Sequence, residues 1–428
     1  MTTTPQPAVA HPLDQLYRTC VHCGLCLQAC PTYRELGLEM DSPRGRIRQV
    51  MLVETGKLEL GPTVVEHLDR CLACRACETA CPSGVQYGQI IESARTQIEQ
   101  QYRRPLLARL ARRFSYATIA DFSKLARAAR LLRFYQRSGL QRLARASGLL
   151  RLLRLENTES LAPRIEDDFF FRELGKTFPA EGEKRARVAF LAGCIASVAF
   201  ADLNRATIRV LQRNGVEVWV PESQNCCGAL HVHAGLHREA QVLARRNIEA
   251  MRRDNLDAIV TNAAGCGTTL KEYGLLLADD PTRNSAQQFA ATVRDVNEFL
   301  AQLGPRRPPR KLDARITYQD PCHLAHGQRV RSAPRELLRL VSDDFVEMPH
   351  ADSCCGSAGV YNIAQNQLSL QILKSKMNDV AATHANILAT ANVGCMLQLR
   401  AGVAQGKMNM QVRHVIDLLD EAYGEGQA

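Results

Sequence analysis

Sixteen cysteines fall into four sets with repeated spacing, and no other feature of the chain restricts its fold so tightly. Eight lie between residues 20 and 81, none between 82 and 193, and eight between 194 and 395. Residues 1–12 are polar and rich in proline, without the charged and apolar regions of a secretory signal, so an intracellular protein is expected. In a reducing compartment disulfides are disfavoured, and clustered thiols more often bind metal or carry out redox chemistry.

The first eight form two motifs of one design, Cys20-x-x-Cys23-x-x-Cys26-x-x-x-Cys30-Pro31 and Cys71-x-x-Cys74-x-x-Cys77-x-x-x-Cys81-Pro82. Two-residue spacers let three sulfurs of one tight loop reach three irons of a ferredoxin-type 4Fe–4S cube, and thiolate is a soft donor suited to iron. In this motif the fourth cysteine normally ligates the other cluster. The expected sets are therefore Cys20, Cys23, Cys26 and Cys81 for cluster 1, and Cys71, Cys74, Cys77 and Cys30 for cluster 2. Zinc needs only two Cys-x-x-Cys pairs, and neither motif is so limited. His22, beside Cys23, reads as a neighbour of the site or a surface residue, not as a ligand. The stretch Asp41-Ser42-Pro43-Arg44-Gly45-Arg46 reads either as a turn into a solvated basic helix or as charge balance or docking beside an anionic cluster.

The last eight cysteines repeat. Cys194 and Cys226 are separated by the same interval as Cys322 and Cys354, and each pair runs into a Cys-Cys-Gly, Cys226-Cys227-Gly228 and Cys354-Cys355-Gly356. A fourth thiol follows a glycine in each half, Cys266 after Gly265 and Cys395 after Gly394. Neighbouring cysteines rarely share a disulfide, because the ring is strained, and glycine lets backbone approach a bulky inorganic group. Further clusters are the favoured reading for Cys194, Cys226, Cys227, Cys266, Cys322, Cys354, Cys355 and Cys395; redox thiols without metal are the other. His231, His233 and His323 are candidate donors to sulfur or substrate.

Buried strands are expected at 188–192, 216–221, 258–261, 316–319, 345–348 and 386–389, and helices at 200–213, 237–252, 332–341 and 364–382. Alternating strands and helices predict parallel α/β sheets, with each cysteine beyond the carboxyl end of a strand, where such sheets place their sites. The expected class is a multidomain α+β and α/β chain. It has a helical two-cluster ferredoxin-type domain at 13–100 and a basic helical connector at 101–183. A pseudo-twofold repeat of Cys-Cys-Gly half-domains follows at 186–306 and 313–424. In the connector, residues 103–154 hold many arginines, among them Arg109, Arg112, Arg113, Arg127, Arg130, Arg133, Arg142 and Arg145, and one acid, Asp121. Leu131, Leu132, Leu140, Leu149 and Leu150 interleave at helical spacing. This reads as an interfacial helix against anionic lipid or as a basic helix packed on protein.

Length and composition allow two or three cores, with 46% hydrophobic residues and a net charge of +10. No apolar run is long enough to cross a bilayer. The single Trp and the lack of a base-reading motif speak against a nucleic-acid partner. No Gly-x-Gly-x-x-Gly follows a strand and no P-loop occurs, so neither FAD nor NAD is expected on this chain. It is accordingly expected not to oxidise a substrate by itself, and no catalytic residue is assigned.

The chain resembles the iron–sulfur subunit of glycolate oxidase (glycolate dehydrogenase) over nearly its whole length. The strings that carry the likeness include Cys20-Val21-His22-Cys23-Gly24-Leu25-Cys26, Ser42-Pro43-Arg44-Gly45-Arg46-Ile47, Lys271-Glu272-Tyr273-Gly274 and Ala391-Asn392-Val393-Gly394-Cys395. The resemblance implies an oxidoreductase complex. Separate FAD-binding subunits would oxidise glycolate to glyoxylate, and this chain would carry electrons toward quinone at the inner face of the membrane. A cytoplasmic chain in peripheral contact with the inner membrane is thus expected. The wider superfamily serves lactate and glycerol 3-phosphate oxidation and heterodisulfide reduction, the last by a thiol–disulfide reductase. The heterodisulfide reductase pattern adds a fifth cysteine three residues after the fourth, where this chain has Thr269 and Gln398.

Overall fold

Each half of the carboxyl-terminal region builds a parallel sheet of the same strand order. In the computed structural model, which describes residues 13–152, 159 and 162–424, the first sheet holds β1 (Thr177–Phe178), β2 (Ala186–Phe190), β3 (Val216–Trp219), β4 (Ala258–Thr261) and β5 (Val293–Asp295). The second holds β6 (Ile316–Tyr318), β7 (Phe345–Val346), β8 (Ile387–Thr390) and β9 (Gln411–His414). The orders are β1-β3-β2-β4-β5 and β7-β6-β8-β9. Every pairing is parallel except β1 with β3. Leaving β1 aside, the two sheets superpose in topology, and each reverses its winding beside its first strand, β2 or β6.

The central strands are continuous apolar runs because helices cover both faces. Val188, Ala189 and Phe190 are buried, as are Ile316, Thr317 and Tyr318. β5 and β9, read Val-Arg-Asp and Gln-Val-Arg-His, give no such run and are not foreseen from the sequence. They are edge strands, where charged side chains are tolerated. β1 corrects the expected boundary, since it comes from the stretch assigned to the connector and pairs with β3.

The halves exchange helices. The helix Ala201–Arg213 of the first packs on Val415–Tyr423 of the second, and Val296–Leu303 of the first packs on Ser332–Val341 of the second. The two sheets consequently share one core, with Val188, Phe190 and Val260 in the same buried cluster as Ile316, Tyr318 and Leu388. Equivalent caps start the closing helices: Asp295 forms a capping box with Glu298, and His414 forms one with Asp417.

The amino-terminal region is helical and small. The helices Pro43–Glu54, Pro62–Asp69 and Tyr87–Gln101 pack around Ile47, Val50, Leu68, Ile90 and Ile98. Ser42 caps the first of these by accepting the Gly45 N–H at 2.9 Å, with Pro43 at the first helical position. This region grips both halves. Arg75 pairs with Glu272 of the first half at 2.8 Å, and Tyr361 of the second donates to the Arg70 carbonyl at 2.9 Å.

The connector forms helices Leu106–Ala120, Phe122–Arg137, Leu140–Ala146 and Leu149–Leu152. Leu125, Ala126 and Ala129 join the main core, whereas Leu107, Phe114, Leu131 and Phe134 are exposed. The connector is thus packed on protein along one stripe and presents exposed apolar side chains elsewhere. Residues 1–12, Leu153, Arg154 and the Leu149 side chain, which entered the sequence reading, lie outside the description. Among the described residues no helix is long and apolar enough to cross a membrane.

Candidate metal centres

The two amino-terminal loops share one backbone path. In each, the residue before the second cysteine and the residue after it are left-handed: His22 (φ 55°) and Gly24 (φ 85°) in the first, Ala73 (φ 53°) and Arg75 (φ 62°) in the second. Non-glycine residues enter this region only under constraint. Alternating with right-handed or extended neighbours, it curls successive N–H groups toward one concave side, a shape suited to an anion. The Ala73 N–H approaches the Cys71 sulfur at 3.3 Å.

The thiols divide between two cavities. Cys20, Cys23, Cys26, Cys77 and Cys81 line the first. Cys30, Cys71, Cys74 and Cys77 line the second. Cys30 thus lies with the second loop's thiols and Cys81 with the first loop's, while Cys77 lines both cavities. Pro43 and Tyr87 border both cavities, and the Tyr87 hydroxyl donates to the Cys71 sulfur at 3.5 Å.

The donor chemistry fits iron–sulfur clusters. Burial pushes the Cys74 and Cys77 thiols well above the usual range and Cys26 up to about 11. Such sulfurs become thiolates only when a bound cation compensates them. Among the described residues no three His, Cys, Asp or Glu side chains converge closely enough for a single metal ion. Several thiols around each cavity suit a thiolate-ligated polynuclear group.

The solvated-helix reading of 41–46 does not survive the structure. Arg46 and Asp41 are fully buried, 1% and 0% exposed. Arg46 donates to Asp41 at 3.2 Å, to Thr32 at 3.1 Å and to the His67 carbonyl at 2.7 Å, and it lines the second cavity. The Arg46 guanidinium is paired with the Asp41 carboxylate beside the four thiols of the second cavity. Arg44 instead pairs with Glu39 at the surface and donates to the His22 carbonyl at 3.0 Å. His22 itself is exposed.

The Cys-Cys-Gly thiols gather in each half. In the first they interact in the order Cys194, Cys226, Cys227, Cys266, and in the second in the order Cys322, Cys354, Cys355, Cys395. Each arises beyond the carboxyl end of β2, β3, β4, β6, β7 or β8, so three loops supply each site. Hydrogen bonding to the neighbouring thiol, and then burial, hold Cys194 and Cys322 well above the ordinary thiol range. Four gathered thiols per half fit a thiolate-ligated cluster. At the fifth position, Thr269 bonds back to the Gly265 carbonyl, and Gln398 donates to Ser369 at 2.9 Å.

The histidines divide. His323 Nδ1 lies 3.7 Å from the Cys322 sulfur. His231 packs against Tyr116, and His233 lies against Glu92 and the His323 ring; among the described contacts neither meets a sulfur. Lys376, unremarked in the sequence, is buried and donates to the His350 carbonyl at 2.6 Å beside the second site. A lone lysine in a helix gives no local signal of such burial.

Comparison with known proteins gives three family matches. Residues 17–85 match the 4Fe-4S dicluster domain, and residues 188–271 and 316–400 each match the Cysteine-rich domain. Residues 107–162 match the linker region of the glycolate oxidase iron-sulfur subunit. The chain is 41% identical to the "Probable glycolate oxidase iron-sulfur subunit" of Bacillus subtilis, over 95% of this chain and 94% of that protein. It is 33% identical to the glycolate oxidase iron-sulfur subunit of Escherichia coli, over 97% of each. Lactate utilization protein A of Oceanobacillus iheyensis is 29% identical over 55% of this chain and 96% of that protein.

Proposed function

Because the chain belongs to the glycolate oxidase iron–sulfur subunit family, with a 4Fe–4S dicluster domain and two cysteine-rich domains, we propose that it is the electron-transfer subunit of a flavin-dependent glycolate dehydrogenase. When bound, its clusters supply one-electron transfer. Glycolate gives up two electrons and two protons, effectively as hydride and proton, and a hydride acceptor such as flavin must take the pair. That step belongs to FAD-binding partner subunits. Cys20, Cys23, Cys26 and Cys81 are the proposed ligands of one cluster, and Cys71, Cys74, Cys77 and Cys30 those of the other.

The observation that carries this reading is the contiguity of the thiol sites. Cys77 borders both amino-terminal cavities, and Cys74 shares a buried apolar cluster with Cys354 and Cys322. Thiols from the surface loop at Cys23 to the second Cys-Cys-Gly site thus form one row. Arg46 and Lys376 place cationic groups along it.

The connector is the proposed docking element, toward the partner subunits or the inner face of the membrane on the way to quinone. Its exposed Leu107, Phe114, Leu131 and Phe134 stand among arginines, a composition suited to an anionic surface. The test is an assay of the purified chain with glycolate, lactate and glycerol 3-phosphate, with and without co-expressed partners. Turnover and cluster reduction by glycolate should require the flavoprotein subunits. Turnover by the flavin-free chain alone would overturn the subunit reading, and reduction only by lactate would move the substrate.

A further inference from the structure

Asn392 occupies the N-cap of the helix Val393–Gln405, in extended backbone (φ −154°, ψ 124°), yet its side chain does not cap that helix. An asparagine there ordinarily accepts an N–H from its own first turn. Here Nδ2 donates to the Cys395 sulfur at 3.4 Å, and Oδ1 accepts the Gly265 N–H of the other half at 3.4 Å. Gly265 immediately precedes Cys266. One amide therefore touches a thiol of the second Cys-Cys-Gly site and the backbone beside a thiol of the first.

The bridge runs one way. The equivalent N-cap in the first half, before the helix Ala264–Lys271, is Ala263, which has no polar side chain to return the contact. The local packing preserves the amide's place. A Cβ on Gly394 would stand 3.3 Å from Asn392 Nδ2 and 3.5 Å from Ser357 Oγ, and Ser357 holds the Gly394 carbonyl at 2.9 Å. Glycine keeps that wall open.

We propose that Asn392 is a positioning residue that couples the two Cys-Cys-Gly sites, through its hydrogen bonds to the Cys395 sulfur and to the Gly265 N–H. The proposal rests on the reading that these thiols hold redox clusters. A hydrogen bond to a cluster thiolate stabilises its negative charge and raises the reduction potential. Polarising the amide at Nδ2 also strengthens its Oδ1 as an acceptor, so a change of charge at Cys395 is felt at the Gly265 N–H, one residue before Cys266.

The experiment uses the full chain purified anaerobically, with iron and sulfide analysis and EPR-monitored redox titration of the wild type, Asn392→Ala and Asn392→Asp. Cys395→Ser and Cys266→Ser assign the signals of the second and first sites. Unchanged iron is expected, with the second-site potential lowered in Asn392→Ala and lowered further in Asn392→Asp. The first-site potential should move with it, while the amino-terminal signals stay fixed. Intact iron with unmoved potentials, or a shift at the second site alone, overturns the coupling. Loss of second-site iron in both variants also overturns it, because the role is then only structural. A wild type with no iron beyond the amino-terminal clusters overturns the underlying reading, and the proposal with it.

Discussion

Cys74 of the amino-terminal loop and Cys322 of the second Cys-Cys-Gly site meet in one buried apolar cluster, with Leu72, Cys354 and Tyr361 around them. Burial, and after it the neighbouring Cys322, push the Cys74 thiol up. The first Cys-Cys-Gly site has no thiol in this cluster. Cys322→Ala should therefore alter the reduced EPR spectrum of the cluster held by Cys71, Cys74, Cys77 and Cys30. The signal from Cys20, Cys23, Cys26 and Cys81 should be unchanged. Equal perturbation of both would argue against this junction.

Cys30→Ser should damage the cluster of the second loop, although Cys30 belongs to the first in sequence. It lines the cavity of Cys71, Cys74 and Cys77. Iron analysis with EPR of the reduced variant is the measurement. Damage confined to the signal of Cys20, Cys23 and Cys26 would reject the exchange.

The wild type should hold about eight irons and eight acid-labile sulfides from the amino-terminal motifs alone. Cys227→Ala and Cys355→Ala, each within a gathered set of four thiols, should lower the total below that of the wild type. Unchanged iron and sulfide in both variants would make these free redox thiols.

Arg46→Leu should cost roughly 1–3 kcal/mol, because it leaves the buried Thr32 hydroxyl and the His67 carbonyl without their donor. Asp41 would keep Arg70 and His67 but lose its most buried contact. The potential of the adjacent cluster should fall as a cationic group is withdrawn. Urea unfolding and a redox titration test the two parts separately; a wild-type potential in a destabilised variant would deny the charge-balance role.

His414 should make folding stability fall with acid. Its Nδ1 accepts the Ile416 N–H at 3.1 Å, and Nε2–H donates to the Asn262 carbonyl at 3.1 Å, so the ring is neutral in the native state. Burial lowers its pKa to about 4. The unfolded ring titrates near 6.5, so the unfolded state binds the proton first. The His414 contribution is intact above that pH, is lost as pH falls toward 4, and is flat below. At pH 5 the loss is about 2 kcal/mol. Denaturant titrations at pH 7 and pH 5 should show a smaller pH effect in His414→Gln; an identical effect would exclude His414 as the cause.

The residues alone determined the chemistry of this protein. Two motifs with two-residue spacers and a trailing Cys-Pro state a loop geometry locally, and an interval repeated between Cys194–Cys226 and Cys322–Cys354 states a duplicated unit. The apolar runs at β2, β4, β6 and β8 were legible because parallel strands buried on both faces need no polar alternation. The polar edge strands β5 and β9 gave no such run. What only tertiary structure decided are contacts between residues far apart in sequence. Arg46 looks like a solvated arginine until Asp41, Thr32 and His67 close over it. Asn392 looks like an ordinary helix cap until the other half brings Gly265 to its oxygen. Cys74 and Cys322 become neighbours only when the helical region docks on the second sheet. Spacing along the chain encodes which thiols one loop can gather. It does not encode which gathered sets face each other, because that depends on how separately folded surfaces pack.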